Sequence, residues 1–83
     1  MIPEDVARLL GRSKLALKNL NAMAPSYRKH FVYFIDSAKR PETRERRAQI
    51  AIELLEQNIT LDLNNKSKIE AAKRKVARRA SGL

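Results

Sequence analysis

The most concentrated group of charged side chains lies at residues 39–47, Lys-Arg-Pro-Glu-Thr-Arg-Glu-Arg-Arg. A helix that starts at the proline advances by about 100° per residue. On that helix, Arg44 falls at the centre of the apolar face, Arg47 at its edge and Arg46 on the far side. Two guanidinium groups are therefore expected to point inward at one corner of the fold. Asp36 is not an expected partner of Arg44, because it falls opposite the apolar face of the preceding helix.

This corner has two interpretations. In the structural one, the stems of Arg44 and Arg47 cover the end of the core, and their heads reach water or bond the last carbonyl groups of the preceding helix. In the functional one, four cations form an anion or nucleic-acid site at a helix N-terminus, where free N–H groups favour negative charge. The four are Lys39, Arg40, Arg44 and Arg47. Glu42 already places a negative charge there, which favours the structural interpretation.

A second basic group lies near the C-terminus: Lys66, Lys68, Lys73, Arg74, Lys75, Arg78 and Arg79. Residues 59–83 carry seven basic and two acidic side chains, a net of +5 out of +9 for the whole chain. Basic clusters bind phosphate backbones without sequence preference, and the five cations from Lys73 to Arg79 are the candidate contacts. The same charges could instead keep a small domain in solution. A membrane-surface helix ranks below both, because Ala72 and Ala80 bury little area.

Val32 and Tyr33 are a third feature, since they fall outside the apolar face of their helix. They form a candidate contact surface for a partner or for the C-terminal helix, although single exposed apolar residues are common on any protein. His30 is the one histidine, and the chain has no Cys. We therefore expect no catalytic residue, no metal ligand, no cofactor and no enzymatic activity.

Length and composition place these features in one small domain. The chain has 83 residues, of which 43% are hydrophobic and 33% charged, so it can build one core but not two. A net charge of +9 favours an acidic partner. No apolar run approaches the roughly 18 residues of a membrane span. The acidic N-terminal segment has no apolar core behind it, so a cytoplasmic location is expected.

The positions of proline, glycine and apolar residues predict an all-α fold. The first four helices are short and cover about residues 3–10, 13–23, 25–40 and 42–58. Gly11 is expected to end the first and Asn58 the fourth. Pro25 suits the first position of the third helix, and Pro41 separates the third from the fourth.

The third and fourth helices are predicted to pack as a central hairpin across the Arg40-Pro41 corner. One arc of the third helix carries Tyr27, Phe31, Phe34, Ile35 and Ala38, which makes it the expected core helix. An arc of the same width on the fourth carries Ala48, Ala51, Ile52 and Leu55.

After a linker at residues 59–66, Ser67 and Glu70 have the spacing of a capping box. They predict a last helix from Lys68 to about Ala80 with a narrow apolar stripe: Ile69, Ala72, Val76 and Ala80. We expect this helix to dock weakly or not at all, because two medium-sized apolar residues offset little of the entropy of ordering it.

The stretch from Pro25 to Arg47 carries a family pattern. It has a Pro25-Ser26 start, then Phe34-Ile35, Ala38-Lys39, Glu42-Thr43-Arg44 and Arg46-Arg47, and residues 2–5 read Ile-Pro-Glu-Asp. The pattern resembles the YdeI/OmpD-associated, or bacteriocin-protection, family of small bacterial proteins over roughly residues 2–58, with Phe34 where that family usually has Trp. The resemblance implies a helical module that is linked by name to protection against antimicrobial peptides.

Together these observations predict a helical module at residues 1–58, followed by a linker and a basic C-terminal helix at residues 59–83. The predicted function is that of a non-enzymatic interaction module, linked to bacteriocin protection or a stress response, whose partner is an unidentified protein. The alternative is nonspecific nucleic-acid binding through the C-terminal helix and the Lys39–Arg47 corner. The sequence leaves the partner's identity and the oligomeric state open.

Overall fold

The computed structural model describes residues 3–81, without the side chains of Leu63, Ala80 and Ser81. Ile2 of the family pattern and the Ala80 side chain of the predicted stripe lie outside this description. The order of helices is α1 Glu4–Leu10, α2 Lys14–Ala22, α3 Pro25–Asp36, α4 Pro41–Glu56 and α5 Lys66–Ser81, with a 3₁₀ turn at Leu63–Asn65 before α5. The described residues contain no strand, and the all-α prediction is confirmed.

Local signals in the sequence set most helix ends. Proline occupies the first turn of both α3 and α4, where its missing N–H costs nothing. The Ser13 hydroxyl accepts a 3.1 Å hydrogen bond from the backbone N–H of Ala16 and caps α2. Asn58 has a φ of 59°, which asparagine tolerates better than most residues. Its N–H donates to Leu55 O and that of Ile59 to Leu54 O, both at 2.9 Å, so α4 ends in a Schellman motif.

The centre of the molecule is α4, which packs against α1, α2, α3 and α5. Its residues from Ile50 to Leu55 are all buried, so this end of the helix is covered around its whole circumference. The prediction that α3 is the core helix is wrong, although the predicted packing of α3 on α4 is confirmed. Apolar residues on one arc of the helical wheel favoured α3, whereas residues 50–55 of α4 are buried on every side.

The predicted apolar arc of α3 is only partly buried. Phe31, Ile35 and Ala38 belong to the core, but Phe34 is half-buried and Tyr27 is 36% exposed. Tyr27 lies in the first turn of α3, where its ring meets the His30 ring edge-on at a centroid distance of 6.3 Å.

The expectation that the last helix docks weakly is also wrong. Ala72 and Val76 of α5 are buried, and Ile69 packs against the same core. The capping box is not formed either, because α5 begins at Lys66 and places Ser67 inside its first turn. The linker is instead held by Asn65, whose side-chain amide donates to the carbonyl and the hydroxyl oxygen of Thr60, both at 3.0 Å.

A buried carboxylate of α4 forms ion pairs with α5. Glu53 lies on the covered part of α4 and is only 8% exposed. Its two oxygens meet Arg79 Nη2 at 2.7 Å and Lys75 Nζ at 3.2 Å, both from α5. A buried carboxylate without such partners is strongly destabilising, so these ion pairs add to the apolar contacts that the sequence argument considered.

Phe31 and Phe34 make a matched pair for testing which face of α3 forms the core. Phe31 is 0% exposed, so Phe31→Ala should lower the free energy of unfolding by about 3–5 kcal/mol. Phe34→Ala should cost clearly less, because its ring is only half-buried. Chemical denaturation of both variants measures the difference, and an equal loss in the two would contradict this assignment of the core.

The Glu53 ion pairs predict different behaviour for two neighbouring arginines of α5. Arg79→Ala should lower the free energy of unfolding by about 1 kcal/mol, since its side chain is partly exposed and Lys75 still faces Glu53. Arg78→Ala, which removes an exposed cation with no ion pair among the described residues, should stay within about 0.5 kcal/mol. Thermal denaturation gives the stabilities, and hydrogen exchange of the α5 amides locates the change. Equal effects would mean that Arg79 does not hold α5 in place.

Candidate partner-binding groove

Arg44 joins three parts of the fold at the corner between α3 and α4. Its Nε donates to Asp5 Oδ2 of α1 at 2.9 Å, and its Nη1 donates to the carbonyl oxygens of Asp36 at 2.8 Å and Ala38 at 2.9 Å. Its Nη2 lies 2.9 Å from Asp36 Oδ1 and 2.7 Å from Asp5 Oδ2. All three guanidinium nitrogens are therefore engaged, and the side chain is only 16% exposed.

Asp36 is thus a partner of Arg44, contrary to the sequence prediction. It is the last residue of α3, and the chain turns there toward α4, so the guanidinium reaches across the helix end rather than along its inner face. The hydrogen bond with Asp36 raises the pKa of Arg44 above its ordinary value, while partial burial acts in the opposite direction. The group stays charged at every physiological pH.

Arg47 also donates hydrogen bonds to groups at the end of α3. Its Nη1 donates to Phe34 O at 2.9 Å and to Ser37 Oγ at 3.0 Å. Its guanidinium carbon lies 5.3 Å from the centroid of the Phe34 ring, within the range of a cation–π contact. The structural interpretation of the two arginines therefore accounts for their contacts. Lys39 and Arg40, the other candidate anion ligands, are exposed and make no ion pair with the described residues.

The basic side chains near the C-terminus do not share one face of α5. At about 100° per residue, Lys66 and Lys73 lie on one side and face α3 across a groove. The second set, on the side of Glu53, is Lys68, Lys75 and Arg79. The third set, which points outward, is Arg74 and Arg78. The predicted nucleic-acid contacts are therefore divided among three directions. No helix in residues 3–81 has the length and apolar content needed to cross a membrane.

An open groove of about 680 Å³ lies between α3, residues 61–62 and α5. Its apolar lining is formed by Tyr33, Phe34, Leu61 and Ile69. Three of these are partly buried against the core, whereas Tyr33 is 75% exposed. The groove exists because α5 packs on α4 rather than on the outer face of α3.

Charged and polar residues surround this apolar lining on both sides. The α3 side contributes Lys29 and His30, and the other side contributes Asp62, Lys66, Glu70 and Lys73. The Asp62 carboxylate accepts a 3.4 Å hydrogen bond from the backbone N–H of Asn64. Glu70 Oε1 lies 3.8 Å from Lys73 Nζ. Lys29 and Lys66 make no ion pair among the described residues.

Val32 and Tyr33, the two predicted surface residues, lie on different sides of the exposed face of α3. Tyr33 lines the groove, whereas Val32 lines a second hollow of about 620 Å³, which Tyr33 also borders. Sequence reasoning missed the contributions of Phe34, Leu61 and Ile69 to this surface. Leu61 and Ile69 were recognisable only as apolar residues outside the predicted hairpin core, and their position opposite Tyr33 depends on how α5 docks.

The fold defines a small all-α module whose peripheral helices are assembled around a central one. The model of a protein family described as "Bacteriocin-protection, YdeI or OmpD-Associated" matches residues 1–58. The chain belongs to this family, and the resemblance noted from the sequence is confirmed over nearly the same residues. No curated protein and no solved structure matches the chain. The matched segment includes the α3 side of the groove, whereas Leu61 and all of α5 follow it.

The corner contacts predict that Arg44 and Arg46, which are two positions apart, contribute very differently to stability. Arg44→Ala leaves Asp5, Asp36 and two carbonyl groups without their shared donor, so its melting temperature should fall by several degrees. Arg46→Ala removes an exposed side chain and should change stability by no more than about 0.5 kcal/mol. Arg44→Lys should recover only part of the loss, because an ammonium group cannot supply the planar fork of donors. Equal melting temperatures for Arg44→Ala and Arg46→Ala would contradict the role given to Arg44.

Proposed function

We propose that this protein is a non-enzymatic interaction module that binds a partner protein in the groove between α3 and α5. The observation that carries the proposal is the exposed Tyr33 ring beside an apolar lining. Tyrosine is one of the residues that most often dominate binding energy at interfaces, because it combines a large apolar area with a hydroxyl group. An apolar groove bordered by polar residues is typical of interaction sites.

The side chains around the groove support a binding role rather than catalysis. The Ser37 hydroxyl donates to Phe34 O at 3.4 Å and accepts from Arg47. The His30 ring instead has an edge contact with Tyr27. A nucleophile paired with a base would require the two side chains to lie within hydrogen-bonding distance, and the contacts of Ser37 and His30 run in different directions.

The family description supplies the biological setting of the proposal. A member of a bacteriocin-protection family that binds a partner protein would act within a protective or stress-response system, and we place that action in the cytoplasm. Cell fractionation tests the location independently of the binding experiment.

Nonspecific nucleic-acid binding is the second candidate. It is favoured by exposed cations that make no ion pair among the described residues: Lys39, Arg40, Lys68 and Arg78. A continuous basic strip would follow a phosphate backbone most effectively. The division of the α5 cations among three directions, and the use of Lys75 and Arg79 by Glu53, rank this candidate second.

Affinity capture with nuclease treatment separates the two candidates. If the groove binds a protein, the same partner should be retained by the wild-type chain with and without nuclease, and at raised salt. The Tyr33→Ser variant should no longer retain the partner. The Tyr27→Ser variant should still retain it, because Tyr27 does not line the groove. Circular dichroism verifies that both variants are folded.

Two outcomes would contradict the proposal. Capture that disappears with nuclease and falls steeply with salt would favour the nucleic-acid candidate. Capture that is insensitive to Tyr33→Ser would place the partner on a different surface.

A further inference from the structure

We infer that the groove binds an amphipathic helix of the partner protein, with an apolar stripe in the centre and acidic residues on both flanks. This inference rests on the proposed function and specifies the chemistry of the partner segment. It follows from the dimensions of the groove, its apolar lining and the position of its lysines.

The dimensions of the groove fit a helical segment of about two turns. Its lining on α3 runs from Lys29 to Ser37, and on α5 from Lys66 to Lys73. At about 1.5 Å per residue, these spans are about 12 Å and 10 Å long. Two turns of a helix present three or four apolar side chains on one face, at positions such as i, i+3, i+4 and i+7. Small-molecule sites bury most of their ligand, whereas here one side carries a largely exposed ring.

The apolar lining has the composition of a helix-binding surface. Phe34, Leu61 and Ile69 are partly buried by the core and leave part of their surface toward the groove. A helix seated there would cover these residues and the ring of Tyr33, which is the largest exposed aromatic surface of the described chain. The Tyr33 hydroxyl lies on an exposed side chain and can bond a polar group at the edge of the partner helix.

The lysines without an ion pair favour acidic residues on both flanks of the partner helix, and on the α5 side they act against Asp62 and Glu70. Lys29 on the α3 side and Lys66 on the α5 side have no ion pair among the described residues. Lys73 has only the distant contact with Glu70. Carboxylates on either flank could therefore pair with an ammonium group, and the net charge of +9 would speed the approach of an acidic segment. The same net charge repels a second copy of this chain.

A display library of helical peptides tests this inference with the full chain. Each peptide has about four turns, or about 14 residues, with leucine fixed at i, i+3, i+4 and i+7 and the flanking positions randomised among Glu, Lys, Gln, Ala and Ser. We expect peptides selected on the wild-type chain to be enriched in Glu at flanking positions on both sides of the leucine stripe. Selected peptides should bind Tyr33→Ser at least tenfold more weakly.

Matched charge variants separate a specific groove from general attraction to a basic protein. Lys29→Glu combined with Lys66→Glu should weaken the selected peptides at least tenfold. Lys39→Glu combined with Arg40→Glu makes the same change in net charge away from the groove and should have an effect of less than threefold. Equal weakening by both pairs would overturn the inference, as would selection without acidic enrichment. An oligonucleotide that displaces the peptides and depends on Lys29 and Lys66 would also overturn it.

The two levels of the proposal fail in different ways. Tyr33-dependent capture of a protein, combined with a library that shows no acidic preference, would leave the groove as a partner site and reject the acidic helix. Loss of Tyr33 dependence in both experiments would reject the groove itself.

Discussion

A helical segment that is covered on every side must bring any charge it carries to a partner inside the fold. In this protein that segment is residues 50–55 of α4, and the charge is the carboxylate of Glu53. Lys75 and Arg79 of α5 supply the partners, so the last helix provides the positive charges that this carboxylate requires. Because α5 lies against α4, it leaves the outer side of α3 uncovered. The groove between α3 and α5 is a direct result of this arrangement.

The opposite side of the groove is positioned by a second polar contact set. Arg44 and Arg47 satisfy the carbonyl groups at the end of α3, which a helix terminus otherwise exposes to water. Arg44 also reaches Asp5 of α1 and fixes the first helix to the same corner. Apolar contacts supply the general driving force for packing α3 and α5 on α4. Hydrogen bonds and ion pairs, which require defined geometry, fix where each helix lies.

The features that follow from local chemistry could be predicted from the sequence. Pro25 and Pro41 start helices because the missing N–H is harmless in the first turn, and Asn58 ends one because it tolerates a positive φ. The family pattern was recognisable from the residue types between Pro25 and Arg47. The position of α5 could not be predicted, because Glu53 gave no sign of its burial until the surrounding helices were placed. The groove could not be predicted for the same reason, because Leu61 and Ile69 line it together with Tyr33 only after α5 has docked.

The central position of α4 has a consequence for the synthesis of the protein. The chain produces α1, α2 and α3 before the helix against which all three pack. At about 5–20 residues per second, about one to four seconds separate the emergence from the ribosome of Asp36, which ends α3, and that of Leu55 in the last turn of α4. During this interval the apolar faces that include Leu20 and Phe31 have no core to enter. The nascent chain therefore offers them to any chaperone near the ribosome before the domain can close.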